Sequence, residues 1–227
     1  MEIDGREIAK KILGELEIRV QELKEKGITP TLAIILVGDN PESVAYIEQK
    51  ELKATKIGAR VIVKKLPVNS SQASILKTIE QFNNDSNIHG IIVQRPVKGI
   101  GSKVLNGAVR PEKDVDGFNS QSKFEYPIAK AVFTILEQIY MSNKKSDQFY
   151  DFLRRSQIVL IGKGETGGKP LIETFSRLNI PLGIIDSKTH NSQLITNNAD
   201  IIISAVGNPD IIQPQNLKRG VVLISVG

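Results

Sequence analysis

Cysteine is absent from the 227 residues. That excludes a disulfide scaffold, thiolate catalysis and cysteine-ligated zinc or iron–sulfur centres. Histidine is scarce: His89 and His190 are the only two. A multi-histidine metal site is therefore not expected, and no metal is assigned. Aromatic residues make up 5% of the chain, too few for a platform that stacks single-stranded bases. The longest apolar run, Leu32 to Val37, is six residues, far short of a membrane span. The N-terminal MEIDGREIAKKILGEL lacks the continuous apolar stretch of a signal peptide. These absences lead to the expectation of a soluble, cytoplasmic chain with neither nucleic acid nor membrane as a partner.

What is present is ordinary globular material. Hydrophobic residues are 40% and charged residues 24%, and the chain is long enough to bury a sizeable core. Thirty Lys and Arg against 25 Asp and Glu give a net charge of +5. The basic residues are spread among glutamates rather than gathered in a patch. Such a balance suits a small acidic ligand, for instance a phosphate-bearing cofactor.

Hydrophobic periodicity predicts a helix over 6–26 stopped by Gly27, then a strand Thr31–Val37. Gly38-Asp39-Asn40-Pro41 supplies a turn, a cap and a first-turn proline for a helix running to Ile57 and ended by Gly58. A strand Ala59–Leu66, a helix from the Asn69–Ser71 caps to Asn83 and a strand Gly90–Gln94 complete a first α/β layer. Residues 98–125 read as loop, with a short helix near 103–106. Beyond them the pattern predicts a helix over 128–140, a polar turn at 142–146, a strand 157–161 and a helix 168–178. Strand 182–185, helix 191–197, strand 200–205 and a final strand 221–226 follow, the last read as a buried parallel strand from its β-branched residues. The fold class is α/β in two domains. The first, 1–122, is a parallel-sheet substrate domain, and the second, 123–227, is Rossmann-like.

Four segments carry chemistry. Gly162-Lys163-Gly164-Glu165-Thr166-Gly167-Gly168 follows a strand and opens a helix, the context in which such a loop cradles a pyrophosphate. Asp186 lies 24 residues after Gly162, at the end of the next strand, where an acid takes the ribose hydroxyls of NAD. Tyr46 and Lys50 are i, i+4 on one helix and share a face. That helix starts just past the carboxyl end of a strand, where open α/β sheets bind ligands. Gln94 is a polar side chain ending the apolar strand Gly90-Ile91-Ile92-Val93. Asp114 and Asp116 alternate around Val115 in a tight turn before Gly117-Phe118. They suit either an Asx turn or the N–H donors of a heterocycle.

Together these segments resemble the bifunctional methylenetetrahydrofolate dehydrogenase/methenyltetrahydrofolate cyclohydrolase family. The resemblance runs through Ile3-Asp4-Gly5, Val37-Gly38-Asp39-Asn40-Pro41, Tyr46-x-x-x-Lys50, Val93-Gln94-x-Pro96 and Lys113-Asp114-Val115-Asp116-Gly117-Phe118. It continues in Ser187-Lys188-Thr189, Ala199-Asp200-Ile201 and Ala205-Val206-Gly207-Asn208-Pro209. It implies hydride transfer from 5,10-methylenetetrahydrofolate to NAD or NADP, then hydrolysis of the methenyl product to 10-formyltetrahydrofolate. By the same resemblance Lys50 is the key catalytic residue, Gln94 its hydrogen-bond partner, Tyr46 a stacking surface for the pterin and Asp116 the acceptor for pterin N–H groups. Val93 and Arg95 are implied at the folate site. Gly162, Lys163, Gly164, Thr166, Gly167, Gly168, Asp186 and Ser187 are implied at the cofactor site. A homodimer is expected.

The departures from the family pattern are specific. Ile128 stands where a threonine is expected, Arg95 where an apolar residue is usual, and Ser225 where an aspartate is usual. Gly164 makes the cofactor loop nearer the general dinucleotide pattern, and Asp186 replaces a common histidine. The family points to NADP, whereas Asp186 points to NAD. A later glycine-rich segment of the family is not in these residues, so a C-terminally incomplete cofactor domain is expected. Two alternatives stay open: a folate-binding homologue with reduced turnover, and another two-domain Rossmann dehydrogenase.

Overall fold

The structure is a computed structural model that describes residues 2–142, 148–189, 196–207 and 211–226. The chain divides into two compact units, 2–126 and 127–227.

In the first unit, α1 (Gly5–Glu25) is capped by Asp4, whose carboxylate accepts the Arg6 N–H, and it packs on the helix that follows β1 (Thr31–Val37). That helix, α2 (Pro41–Ile57), starts where expected: Asn40 accepts the Ser43 N–H, Pro41 takes the first turn, and Gly58 closes it in the left-handed conformation. Then come β2 (Arg60–Leu66), α3 (Gln72–Asn84), β3 (Gly90–Val93) and α4 (Ser102–Ala108). The three strands are parallel in the order β2-β1-β3. The chain therefore starts in the middle of the sheet, goes to one edge and crosses to the other. The crevice between the carboxyl ends of β1 and β3 is a switch point, the place where open α/β sheets hold ligands.

The strands β1 and β3 are buried on both faces, which explains their unbroken apolar runs, whereas β2 at the edge carries Arg60, Lys64 and Lys65. Ala33, Ile35, Ile91 and Val93 pack with Ile75 and Ile79 of α3 and Leu105 of α4. Ile34, Leu36 and Ile92 pack with Ile47 of α2.

The second unit contains α5 (Pro127–Ser142), α6 (Phe149–Arg155), β4 (Ile158–Ile161), α7 (Gly168–Arg177), β5 (Gly183–Ile185), β6 (Ile201–Ser204) and β7 (Val222–Ser225). Its strands are parallel in the order β5-β4-β6-β7. Again the first strand is central, and the switch point lies between β4 and β6.

Three expectations are corrected or fall outside. α6 was not anticipated: its seven residues are too few to show a period. It is held by rings, with Phe149 edge-on to Phe133 and Tyr140, and Tyr140 against Phe152. β7 is parallel but not a buried strand. It pairs with β6 at the outer position of the sheet, and Leu223 is 49% exposed while only Ile224 is buried. Most of the expected turn at 142–146 and of the helix at 191–197 lies outside the described residues.

Candidate active site

The α2 helix turns Ser43 and Ile47 into the sheet. One step round the helix are Tyr46, 63% exposed, and Lys50, half-buried. Lys50 Nζ donates to Gln94 Oε1 at 3.0 Å. Gln94 leaves the end of β3, and its backbone N–H is held by Ile35 O at 2.9 Å. The structure thus brings two of the sequence-derived site residues together across 44 positions of sequence. Val93, by contrast, is a core residue. The peptide bond Arg95–Pro96 is cis.

Segment 113–118 lies beside β3. Ile91 N–H donates to Lys113 O at 2.8 Å, and Ile91 and Asp114 form a parallel bridge. Lys113 of the motif, and two polar residues that the sequence did not single out, Asn83 and Ser122, hold this segment. Lys113 Nζ donates to Phe82 O and Asp85 O at 3.1 and 2.6 Å. Asn83 bridges the backbone of Ala108 and Arg110, and Ser122 Oγ donates to Asp114 O. Each satisfies backbone groups that a loop would otherwise leave unpaired. No sequence motif marks Asn83 or Ser122.

The two aspartates have different environments. Asp114 is 4% exposed, and its Oδ2 accepts the Asn119 N–H at 2.6 Å. Burial raises its pKa, while N–H groups of Asn119, Gly117 and Asp116, and the charge of Arg95, hold it down. Asp116 faces Lys50. Burial pushes its carboxyl up to about 6; Lys50 and Arg95 oppose the rise and Asp114 adds to it. Lys50 is lowered from the usual lysine range by burial, with Asp116 pulling the other way. A cation with a depressed pKa beside a carboxylate with a raised one lowers the cost of moving a proton at this site.

Arg95 is turned toward the segment rather than along the helix. Its guanidinium lies 4.3 Å from the centroid of Phe118 and donates to Asn106 Oδ1.

In the second unit the glycine loop leaves β4 at the switch point. Gly162 has φ +95°, and a Cβ there would meet Val206 and the Ala205 carbonyl below 3 Å. A Cβ on Gly168 would fall 2.0 Å from Gly162 O. Only glycine lets the start of α7 come this close to the strand, while Gly164 has nothing within 4 Å and stays open. Lys169 N–H donates to Gly164 O at 2.9 Å. Thr166 belongs to the same loop. Asp186, just past β5, accepts from the Lys188 N–H and the Thr189 hydroxyl and pairs with Lys163 Nζ at 2.5 Å. Those partners, Lys163 first, hold its carboxyl at about 2. Ser187 follows it in the same turn. This geometry fits a dinucleotide: backbone for the pyrophosphate and an ionised acid for the ribose.

Residues 3–116 match the family model of the tetrahydrofolate dehydrogenase/cyclohydrolase catalytic domain, and residues 131–227 that of the family's NAD(P)-binding domain. The chain belongs to the tetrahydrofolate dehydrogenase/cyclohydrolase family. It is 34% identical to bifunctional protein FolD 1 of Lactobacillus johnsonii, and the match covers 99% of this chain and 80% of that protein. It is 35% identical to FolD of Geotalea uraniireducens with the same coverage. Among solved structures, FolD of Campylobacter jejuni superposes with a TM-score of 0.86 at 30% identity, covering 99% of this chain and 80% of that one. The Trypanosoma brucei FolD, solved with NADP and an inhibitor, gives 0.85 at 26% identity, covering 98% and 77%. Both family domains are thus accounted for, and the glycine loop just described lies in the NAD(P)-binding one. Among the described residues no group of His, Asp and Glu gathers to hold a metal, and no helix is long and apolar enough to cross a membrane.

Proposed function

We propose that the chain oxidises 5,10-methylenetetrahydrofolate with NAD or NADP and hydrolyses the methenyl product to 10-formyltetrahydrofolate, with the folate held by Tyr46, Lys50, Gln94 and Asp116. The observation that carries the assignment of residues is the Lys50–Gln94 hydrogen bond at the switch point, with Asp116 facing the same ammonium.

The pterin stacks on exposed Tyr46. Its amino group and ring N–H donate to Asp116, an acceptor-only group when ionised. Lys50, whose proton is loosened by burial, serves the hydrolytic step. Water adds to the cationic methenyl carbon and releases one proton; the hydroxyl so formed gives up its second proton as it becomes the formyl carbonyl, the bond from that carbon to the ring nitrogen breaks, and the released nitrogen takes this second proton. Lys50 moves that proton, and Gln94 fixes the direction of its N–H. In the second unit Gly162, Gly164, Gly167 and Gly168 let backbone N–H groups reach the pyrophosphate, and Asp186 takes the ribose hydroxyls. The nicotinamide supplies a hydride acceptor when bound. Asp186, ionised across the neutral range, favours NAD, whereas Lys163, Ser187 and Lys188 offer partners to a 2′-phosphate. A homodimer and a cytoplasmic location are part of the same reading.

The test is the absorbance assay for methylene oxidation run with NAD and NADP in parallel. Turnover with either supports the reading. Absence of turnover together with retained folate binding favours a binding homologue, and absence of both refutes the proposal.

A further inference from the structure

Arg95 stands where the family usually carries an apolar residue, and its surroundings are unusually restrictive. Its carbonyl accepts from Ser43 Oγ at 3.3 Å and from Gln94 Nε2 at 3.4 Å. Its guanidinium lies over the Phe118 ring and is tied to Asn106 of α4. Phe118 is braced edge-on by Tyr126, with ring centroids 5.4 Å apart. Arg95, Asn106, Asp114, Asp116 and Phe118 line one small cavity of about 10 Å³, about the space of a single water. A permanently charged group is thereby fixed beside two carboxylates.

We propose that Arg95 is a positioning residue for folate recognition: clamped between Phe118 and Asn106 on the wall of the cavity it shares with Asp116, it fixes a positive charge beside the carboxylate that receives the pterin N–H groups. This rests on the reading of the site given above.

What such a cation adds follows from the charges around Asp116. Lys50 faces it from α2, Asp114 from its own segment and Arg95 from the end of β3. Burial and Asp114 favour the protonated carboxyl, which offers the pterin a donor where an acceptor is needed. Lys50 opposes this only while it carries its own proton, and burial loosens that proton. A guanidinium keeps its charge through the working range, so Arg95, the weaker of the two cations acting on Asp116, continues to favour the carboxylate while Lys50 gains and loses its proton. An aliphatic residue at this position leaves that task to Lys50 alone, and a lysine keeps the charge without the ring contact.

The experiment compares the wild-type chain with Arg95→Lys, Arg95→Gln and Arg95→Leu. The readouts are kcat and KM for 5,10-methylenetetrahydrofolate between pH 5 and 8, and calorimetric binding of 5-formyltetrahydrofolate over the same range. Removing a nearby cation raises a carboxyl pKa by on the order of half a unit or more. The acid limb of kcat/KM, and of binding, should move up by that amount in the Gln and Leu variants. It should stay in place in Lys, and the change should lie in KM rather than kcat. Gln and Leu profiles that superimpose on the wild type, or a Lys profile displaced as far as Gln, overturn the proposal. A purely structural Arg95 lowers melting temperature in all three variants without moving the limb, which overturns it equally. If Leu does not fold, the Gln–Lys comparison decides. Failure of the wild type to bind or turn over folate refutes the functional reading itself, and is distinguishable because it precedes any comparison of variants.

Discussion

Gly90 offers a quantitative test of how the proposed folate site is built. It opens β3, and a Cβ there would stand 2.8 Å from Val115 Cγ1 and 3.2 Å from Cγ2. Carbon atoms in good contact are about 3.5–4.0 Å apart, so Gly90→Ala forces the two segments apart by several tenths of an ångström. Neither side yields freely. Val115 packs on the cluster of Ile34, Leu36, Ile47 and Ile92, and the neighbouring Ile91 N–H is tied to Lys113 O. Overpacking of this kind costs about 1–3 kcal/mol. Alanine returns about 0.4–1 kcal/mol by restricting the unfolded chain. The net expectation is a loss of about 1–2 kcal/mol by guanidinium denaturation, faster exchange of the Ile91 amide, and a raised KM for folate because Asp116 is next to Val115. Val115→Ala removes both offending carbons and costs about 1–2 kcal/mol alone. Combined with Gly90→Ala it should relieve the clash, so the double variant is more stable than the sum by about 1 kcal/mol or more. Additivity within about 0.5 kcal/mol, or unchanged protection of Ile91, refutes the packing argument.

Lys50→Ala should depress methenyltetrahydrofolate hydrolysis by roughly 10²–10⁴-fold while leaving NAD(P) binding in place, measured by loss of methenyl absorbance. Asp116→Asn should weaken folate binding yet stabilise the fold at neutral pH. The folded carboxyl titrates at about 6 against an ordinary 3.8, so the wild type's advantage exists below 3.8 and is lost as pH rises through 6. Thermal melts should therefore show the Asn variant gaining on wild type between pH 4 and 6 and holding the gain above. Asp186 has the opposite sign: its folded carboxyl lies at about 2, so its contribution is complete above the ordinary carboxylate range and fades as pH falls toward 2. Asp186→Ser should lose that acid-sensitive stability and shift the kcat/KM ratio from NAD toward NADP; an unchanged ratio refutes the ribose assignment.

The elements most legible in sequence were those whose ends carry their own chemistry. Asn40-Pro41 and Gly58 bracket α2 by local hydrogen bonding and backbone conformation alone, so no tertiary information was needed. β7 misled because a β-branched run is the same in a central and an outer strand. What decides is the neighbour, which local sequence does not encode. α6 was missed for a related reason: its stability lies in ring contacts with Phe133 and Tyr140 of α5. The candidate site divides along the same line. Tyr46 and Lys50 share a helix face by spacing, but the approach of Gln94 to Lys50 depends on the crossing of β3 beside β1. Only the family resemblance anticipated it.

The aspartate pair shows most clearly what burial adds. In sequence, Asp114 and Asp116 are equivalent carboxylates either side of Val115. Folding places Val115 against the core, and the segment alongside β3 then sends its two acids to different surroundings. Asp114 goes under the loop, where the Asn119 N–H and neighbouring backbone donors consume its acceptor capacity. Asp116 goes to the side of Lys50 and Arg95, where cations rather than backbone donors balance it. Buried and satisfied by its own loop, Asp114 has little to offer a ligand. A carboxylate balanced by cations keeps its lone pairs available, at the cost of a raised pKa. Hence the chemically available acid of the pair is the less stabilised one, and the residues that make it so are Gly90 and Val115, which carry no chemistry themselves.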